Sequence, residues 1–251
     1  MNMVLSLNGM VIDLSHWNEV TDWGAVAAYG TRGVIHKFSQ GKGYRDPNFD
    51  DARRESKANG MLFGRYHFAD ASDVKGQVNN FLHDRHDDEL LALDWEDNPE
   101  DGGGTMSLSQ AVAFVQEVER LTGQIPALYS GNTLKQALGS TPNPSLARCR
   151  LWLAHYASQP VCPPGWSEPW LWQWSQSGAC PGIVGDVDQD AYKHGVVRLR
   201  QEWTGIARQH DGRPRDSQPE ATTVILSVPT GTKITVHTNG DPDLIKVVSS
   251  L

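Results

Sequence analysis

At 251 residues the chain can bury a sizeable core, and one large domain plus a small appendage fits its length. A net charge of −8 argues against nucleic acid as the main partner and against attachment to anionic surfaces by charge alone. The 39% hydrophobic content is that of a globular protein, and 9 Trp against 6 Phe gives it flat aromatic surface of the kind that suits carbohydrate rings, although Trp fills cores equally well.

Met1 to Met10 has no basic start and no long apolar run, so it does not read as a secretory signal peptide. Nothing later is apolar enough to span a membrane. Met10 to Trp17 is a short apolar strand with Asp13 near its C-terminal end. Asp22 to Tyr29 is a helix capped by Thr21 or Asp22. Gly33 to Ser39 is a second strand. The Gly-rich stretch Gln40 to Tyr44 lacks the lysine and hydroxyl spacing of a phosphate loop and reads as a rim loop. Asp46-Pro47 opens a helix, with Asp as cap and Pro in the first turn, that runs to about Asn59 and stops at Gly60. Met61 to Ala69 is the third strand. Ser72 to about Arg85 is helical, with Val74, Val78, Phe81 and Leu82 on one face. His83, His86, Asp87 and Asp88 read as a solvated turn rather than a metal site.

Leu90-Leu91-Ala92-Leu93-Asp94-Trp95-Glu96 is the fourth strand and the centre of the reading. Side chains alternate along a strand, so Asp94 and Glu96 share one side, about 7 Å apart along the backbone, and Trp95 takes the other. Two carboxyls that close disfavour joint ionisation, and one tends to keep its proton. An acid beside a carboxylate is the equipment for cleaving a glycosidic bond. Taken alone, an Asp-x-Glu can equally mark where a strand meets its loop.

The helix from Ser107 through Leu121 has a capping box and closes at Gly123. Ile125 to Ser130 is the fifth strand, and Asn132 to Leu138 a short helix. Three more strands follow without helices: Leu151 to Tyr156, Trp170 to Ser175, and Ile183 to Gln189. This makes an α/β fold, an irregular (β/α) barrel of eight strands and about five helices. Active sites of such barrels lie at the C-terminal strand ends. Asp13, Asp94, Glu96 and Asp188 fall near such ends on strands one, four and eight, which converge at the mouth. The barrel is complete near Gly195 to Trp203. Residues 204–221 read as a linker, and 222–251 as a small β-rich extension of three short strands. Of Cys149, Cys162 and Cys180, at least one is free, and Cys162 with Cys180 is a candidate pair. No His/Cys spacing resembles a zinc site.

The chain resembles the glycoside hydrolase family 25 lysozymes, the Chalaropsis-type N-acetylmuramidases of bacteria, phages and fungi. The resemblance rests on an ordered set: Ile12-Asp13-Leu14-Ser15-His16-Trp17, Tyr44-Arg45-Asp46-Pro47-Asn48-Phe49, Gly64-Arg65-Tyr66-His67-Phe68-Ala69, Leu93-Asp94-Trp95-Glu96, Pro126 to Gly131, Leu151 to Tyr156, Leu171 to Ser175, and Val187-Asp188-Gln189. It covers roughly residues 10 to 195 and implies a barrel of eight strands and five helices. It also implies cleavage of the β-1,4 bond between N-acetylmuramic acid and N-acetylglucosamine in peptidoglycan. Glu96 falls on the family's proton donor, and Asp94, Asp13 and Asp188 on its other active-site acids. No metal or organic cofactor is implied. Asp94 has two candidate roles, nucleophile or stabiliser of attack by the substrate's own 2-acetamido group. Tyr66, Tyr129 and Trp172 are candidate sugar-stacking walls, and His67 and Gln173 candidate hydrogen-bonders to the sugar, each with a structural role as the alternative.

Rival readings are a non-catalytic peptidoglycan-binding barrel, which would lack the acids, and an amidase, which would need a metal or an activated nucleophile. A monomer acting on the cell wall, after release through a holin or delivery by a secretion system, fits the absence of a signal peptide. The C-terminal extension is then a candidate contact for a delivery or immunity partner.

Overall fold

The computed structural model describes residues 10–99 and 102–205. The C-terminal linker and β-rich extension expected from the sequence lie outside these residues.

The strands form because the chain alternates apolar runs with capped amphipathic segments. β1 (Met10–Leu14) is buried along its whole length, as is β6 (Leu90–Asp94). Such continuous burial belongs to strands covered on both faces. With β3 (Thr31–Gln40), β5 (Leu62–Phe68), β7 (Ala127–Ser130), β8 (Leu151–Ala154), β9 (Leu171–Gly178) and β11 (Val187–Ala191) they close a ring in the order β1-β3-β5-β6-β7-β8-β9-β11, with β11 returning to β1. From β1 through β9 neighbouring ring strands are parallel. β11 runs antiparallel to both β9 and β1. A hairpin strand, β4 (Tyr44–Arg45), extends the end of β3 where a rim loop was expected.

The eighth strand departs from expectation in another way. Ile183 to Gln189 is broken at Gly185, whose φ of 80° is a conformation that side chains resist. The first part, β10 (Ile183–Val184), pairs with β2 (Glu19–Val20) outside the barrel. Asp188 therefore lies at the start of a barrel strand, not at its end. Because β11 is reversed, its start reaches the mouth made by the other strands' C-terminal ends, opposite Asp13 in register.

Inward residues such as Val11, Ile35, Leu90, Ala92, Ala127, Trp152 and Leu171 fill the barrel. Outward residues such as Ile12, Val34, Leu91, Leu93, Leu128 and Leu153 pack against the helices. Those are α1 (Trp23–Tyr29), α2 (Phe49–Ala58), α3 (Val74–Phe81), α4 (Leu108–Thr122) and α5 (Asn132–Leu138). Asp22 caps α1, Asp73 caps α3, and Ser107 with Gln110 forms the full capping box of α4. α2 starts after Asn48 rather than at Asp46, whose Oδ2 is bonded to His16 at 2.9 Å while its Oδ1 accepts the Asn48 amide at 3.0 Å. α3 ends at Phe81, four residues short of expectation. The Arg65 guanidinium draws the carbonyls of Phe81, His83 and Asp84 out of helical register at 3.2, 2.8 and 3.1 Å.

A sixth helix, α6 (Val196–Glu202), was not expected. It closes the barrel floor with Leu199 and Trp203, and the Trp203 indole donates to the Phe63 carbonyl at 2.7 Å. Arg150, just before β8, donates to the Glu202 and Trp203 carbonyls at the end of α6. All three cysteines are free thiols, so Cys162 and Cys180 do not pair, and burial pushes the Cys149 thiol up to about 12. Among the described residues no helix is long and apolar enough to cross a membrane.

Candidate active site

A cleft of about 190 Å³ opens at the mouth. Asp13, Asp94, Glu96 and Asp188 lie in it together. Tyr66, Phe68, Tyr129 and Trp152 line it, and Ser15, Trp17 and Lys37 complete it.

The backbone under Asp94 and Glu96 is fixed from the opposite side of the strand. Trp95 turns outward, is 1% exposed, and donates its indole N–H to the Met106 carbonyl at 2.7 Å. Its amide bonds the Tyr129 carbonyl at 3.0 Å, and its carbonyl accepts from the Ser130 hydroxyl at 2.5 Å. Asp94 is 5% exposed and its Oδ1 has no hydrogen-bond partner. Burial, and then the Glu96 charge, raise the Asp94 carboxyl well above the usual range. Burial also raises Glu96, with the Asp188 charge second. Lys37 opposes both shifts. The acids titrate as an interacting set, so a proton is retained among them above the ordinary carboxylate range.

Asp13 is held by a relay. Gln173 donates Nε2 to Asp13 Oδ2 at 2.8 Å, while its Oε1 accepts from Tyr129 at 2.9 Å and Tyr156 at 2.6 Å. Gln173 thus orients an acid from within the wall. Burial first, then Asp190 and Asp188, raise Asp13 well above its ordinary value.

Two expected sugar contacts lie elsewhere. His67 is on the outer face of β5, opposite to Tyr66, and is 0% exposed. Its ring nitrogens bond Ser39 Oγ at 2.8 Å and Gln77 Oε1 at 3.1 Å, and it stacks on Phe114. Burial lowers it to about 4, so it is a neutral core histidine. Trp172 alternates with Gln173 and faces away from the cleft, donating to the His155 carbonyl at 2.7 Å. The period-two rule that brings Tyr66 and Gln173 inward sends these two outward.

The profile of the glycosyl hydrolases family 25 matches residues 12–183. The chain belongs to this family. It is a glycoside hydrolase. Lysozyme M1 of Streptomyces globisporus is 28% identical over 206 residues, covering 75% of this chain and 69% of that protein. The N,O-diacetylmuramidase of a Chalaropsis species is 25% identical over 198 residues, covering 70% and 94%. The crystal structure of the bacterial lysozyme from Streptomyces coelicolor superposes with a TM-score of 0.72 at 27% identity, over 80% of this chain and 99% of that one.

Within this family 25 barrel, Lys37 and Trp17 line the cleft and Asp190 lies on β11 beside it, three residues that the sequence alone did not single out. Lys37 stands on the inward side of β3 between the Tyr44 and Phe68 rings, 5.5 and 4.7 Å from their centroids, and bonds Gln40 at 2.8 Å. A lysine inside the apolar run Val34 to Phe38 was the available signal. Asp190 shares the face of Asp188 by strand alternation. Trp17 is 84% exposed at the cleft rim, its ring 4.5 Å from His16. A large ring exposed beside the cleft offers a flat apolar face of the kind that sugar rings stack on.

Proposed function

We propose that this family 25 enzyme hydrolyses the β-1,4 bond between N-acetylmuramic acid and N-acetylglucosamine in peptidoglycan, with Glu96 as general acid and then general base. The observation that carries the reading is Asp94 Oδ1, buried in the cleft without a donor, two residues from the Glu96 carboxyl, which burial raises. An acetamido N–H is the donor that such an oxygen fits. Accepting it stabilises the charged form of Asp94, and the retained proton then resides on Glu96. Glu96 protonates the leaving oxygen, the acetamido oxygen attacks the anomeric carbon with Asp94 holding its N–H, and Glu96 then takes a proton from the water that opens the intermediate. Direct attack by Asp94 is the competing route. Asp13 and Asp188 hold the acid network, and Tyr66 and Tyr129 contact the sugar.

The place of action is the cell wall, reached by holin release or secretion, and the segment after residue 205 serves delivery or contact with an immunity protein. Deleting it should then leave barrel activity intact and abolish delivery or binding of the immunity protein.

The test of the reaction is reducing-end release from purified peptidoglycan, with mass analysis of fragments, for wild type and Glu96→Gln. Fragments ending in reducing N-acetylmuramic acid, reduced on the order of a hundredfold or more in the variant, support it. Intact glycan strands with retained binding would leave a glycan-binding barrel. Cleavage that survives in the variant would refute the role of Glu96.

A further inference from the structure

Beneath the cleft floor lies a carboxyl that the reaction above does not use. Asp190 is 0% exposed on the inward face of β11, two residues from Asp188 and diagonal to Asp13 across the β1–β11 pairing. The Trp152 indole donates to its Oδ1 at 2.6 Å, and its Oδ2 is buried with no donor. Asp190 stands within hydrogen-bonding reach of Asp13. Two ionised carboxylates in that position would offer only acceptors to one another, with Asp190 out of reach of water. One proton between them converts the clash into a hydrogen bond.

We propose that Asp190 is a positioning residue: with Asp13 it forms a carboxylic acid–carboxylate pair that holds one proton, and this pair, anchored by Trp152 on one side and Gln173 on the other, fixes the acid network under the cleft. The inference rests on the hydrolysis proposed above and adds a group to it. The anchors make the pair directional. Trp152 donates to Asp190 and Gln173 donates to Asp13, which leaves the contact between the two acids for the shared proton, with Asp188 as the other carboxyl in reach of Asp13. Among the described residues, the titratable groups acting on Asp190 are Asp13 from β1 and Asp188 from β11 itself, while β8 and β9 present Trp152 and Gln173, which do not titrate. Burial pushes Asp190 up to about 8, and the contact between the two acids lowers Asp190 while raising Asp13, which keeps one proton between them.

Asparagine tests the pair because it copies the protonated acid. Asp190→Asn can still accept from Trp152 through Oδ1 and donate to Asp13 through its amide, but it cannot ionise. Asp190→Leu keeps the bulk and removes both bonds. Purified full-length wild type and both variants would be assayed for reducing-end release at pH 6 and melted at pH 5.5 and 8.5. The pair predicts that Asp190→Asn keeps kcat within about threefold of wild type, while Asp190→Leu loses about tenfold or more, as for loss of a supporting hydrogen-bond partner. It also predicts a pH signature. A proton held more tightly in the folded than in the unfolded chain stabilises at low pH and is lost as pH rises through the folded pKa. Wild type should therefore lose more Tm between pH 5.5 and 8.5 than Asp190→Asn does. An asparagine variant as inactive as the leucine variant would overturn the proposal, because the charge of Asp190 would then be required. Parallel melting of wild type and Asp190→Asn across pH would overturn it as well. A wild type that releases no reducing ends would refute the proposed reaction instead, and the melts would still decide whether the proton is shared.

Discussion

Replacing Arg65 with Met should destabilise the barrel more than any surface change and leave its chemistry intact. The Arg65 and Glu89 side chains are both 0% exposed, with Nε and Nη2 each 2.6 Å from Glu89 Oε2. The same guanidinium holds the three carbonyls that end α3 and lies over the Phe38 and Phe49 rings at 4.2 and 5.0 Å. Removing one partner of a buried pair costs about 3–5 kcal/mol because it strands the other charge. Arg53, 3.4 Å from Glu89 Oε1, remains as a weaker partner and places the loss near the lower bound. About 3 kcal/mol is a large share of the ~5–15 kcal/mol that holds a domain folded. For a chain of this size it corresponds to a Tm drop of about 6–12 °C by calorimetry. The double variant Arg65→Met/Glu89→Leu removes the stranded carboxylate and should recover most of that loss, ending within about 1–2 kcal/mol of wild type. Equal destabilisation of the single and double variants would refute the reasoning and assign the loss to the three released carbonyls.

Lys37→Met should move the pH–activity profile toward higher pH on both limbs. Lys37 opposes the upward shifts of Asp94 and Glu96, so without it both keep their protons longer. A profile unmoved by Lys37→Met, in reducing-end assays across pH, would remove Lys37 from the electrostatics of the site. Trp17→Ala should raise KM for long glycan about three- to tenfold, the range of an aromatic contact, with Tm unchanged. An unchanged KM would show that the exposed ring does not touch the polymer.

The barrel was legible because parallel strands buried on both faces are written as apolar runs, such as Leu90 to Leu93, and because Asp22, Ser107 and Gly123 punctuate the helices. The convergence of Asp13, Asp94 and Glu96 was legible from strand ends alone. Direction was not: an apolar strand reads the same parallel or antiparallel, so the reversal of β11 could not be seen in Val187 to Ala191. Nor could the face of each side chain. His67 near the end of β5 resembles a mouth residue until alternation against Tyr66 is fixed in space. Trp172 beside Gln173 is the same case. The helix α6 is only seven residues long, and its inward contribution is mainly Leu199 with the following Trp203, too short a pattern to outweigh a loop reading.

The reversed last strand also sets when the site can exist. Asp13 meets its ligand Gln173 from 160 positions further along the chain, and it meets Asp188 later still. Early strands can pair with their neighbours as they emerge, but closure between the first strand and the last is a long-range contact and a slow one. A nascent or truncated chain therefore carries Asp13, Asp94 and Glu96 on an open sheet, without Gln173 and Asp188. The acid set of the proposed reaction is complete only once the final strand is in place.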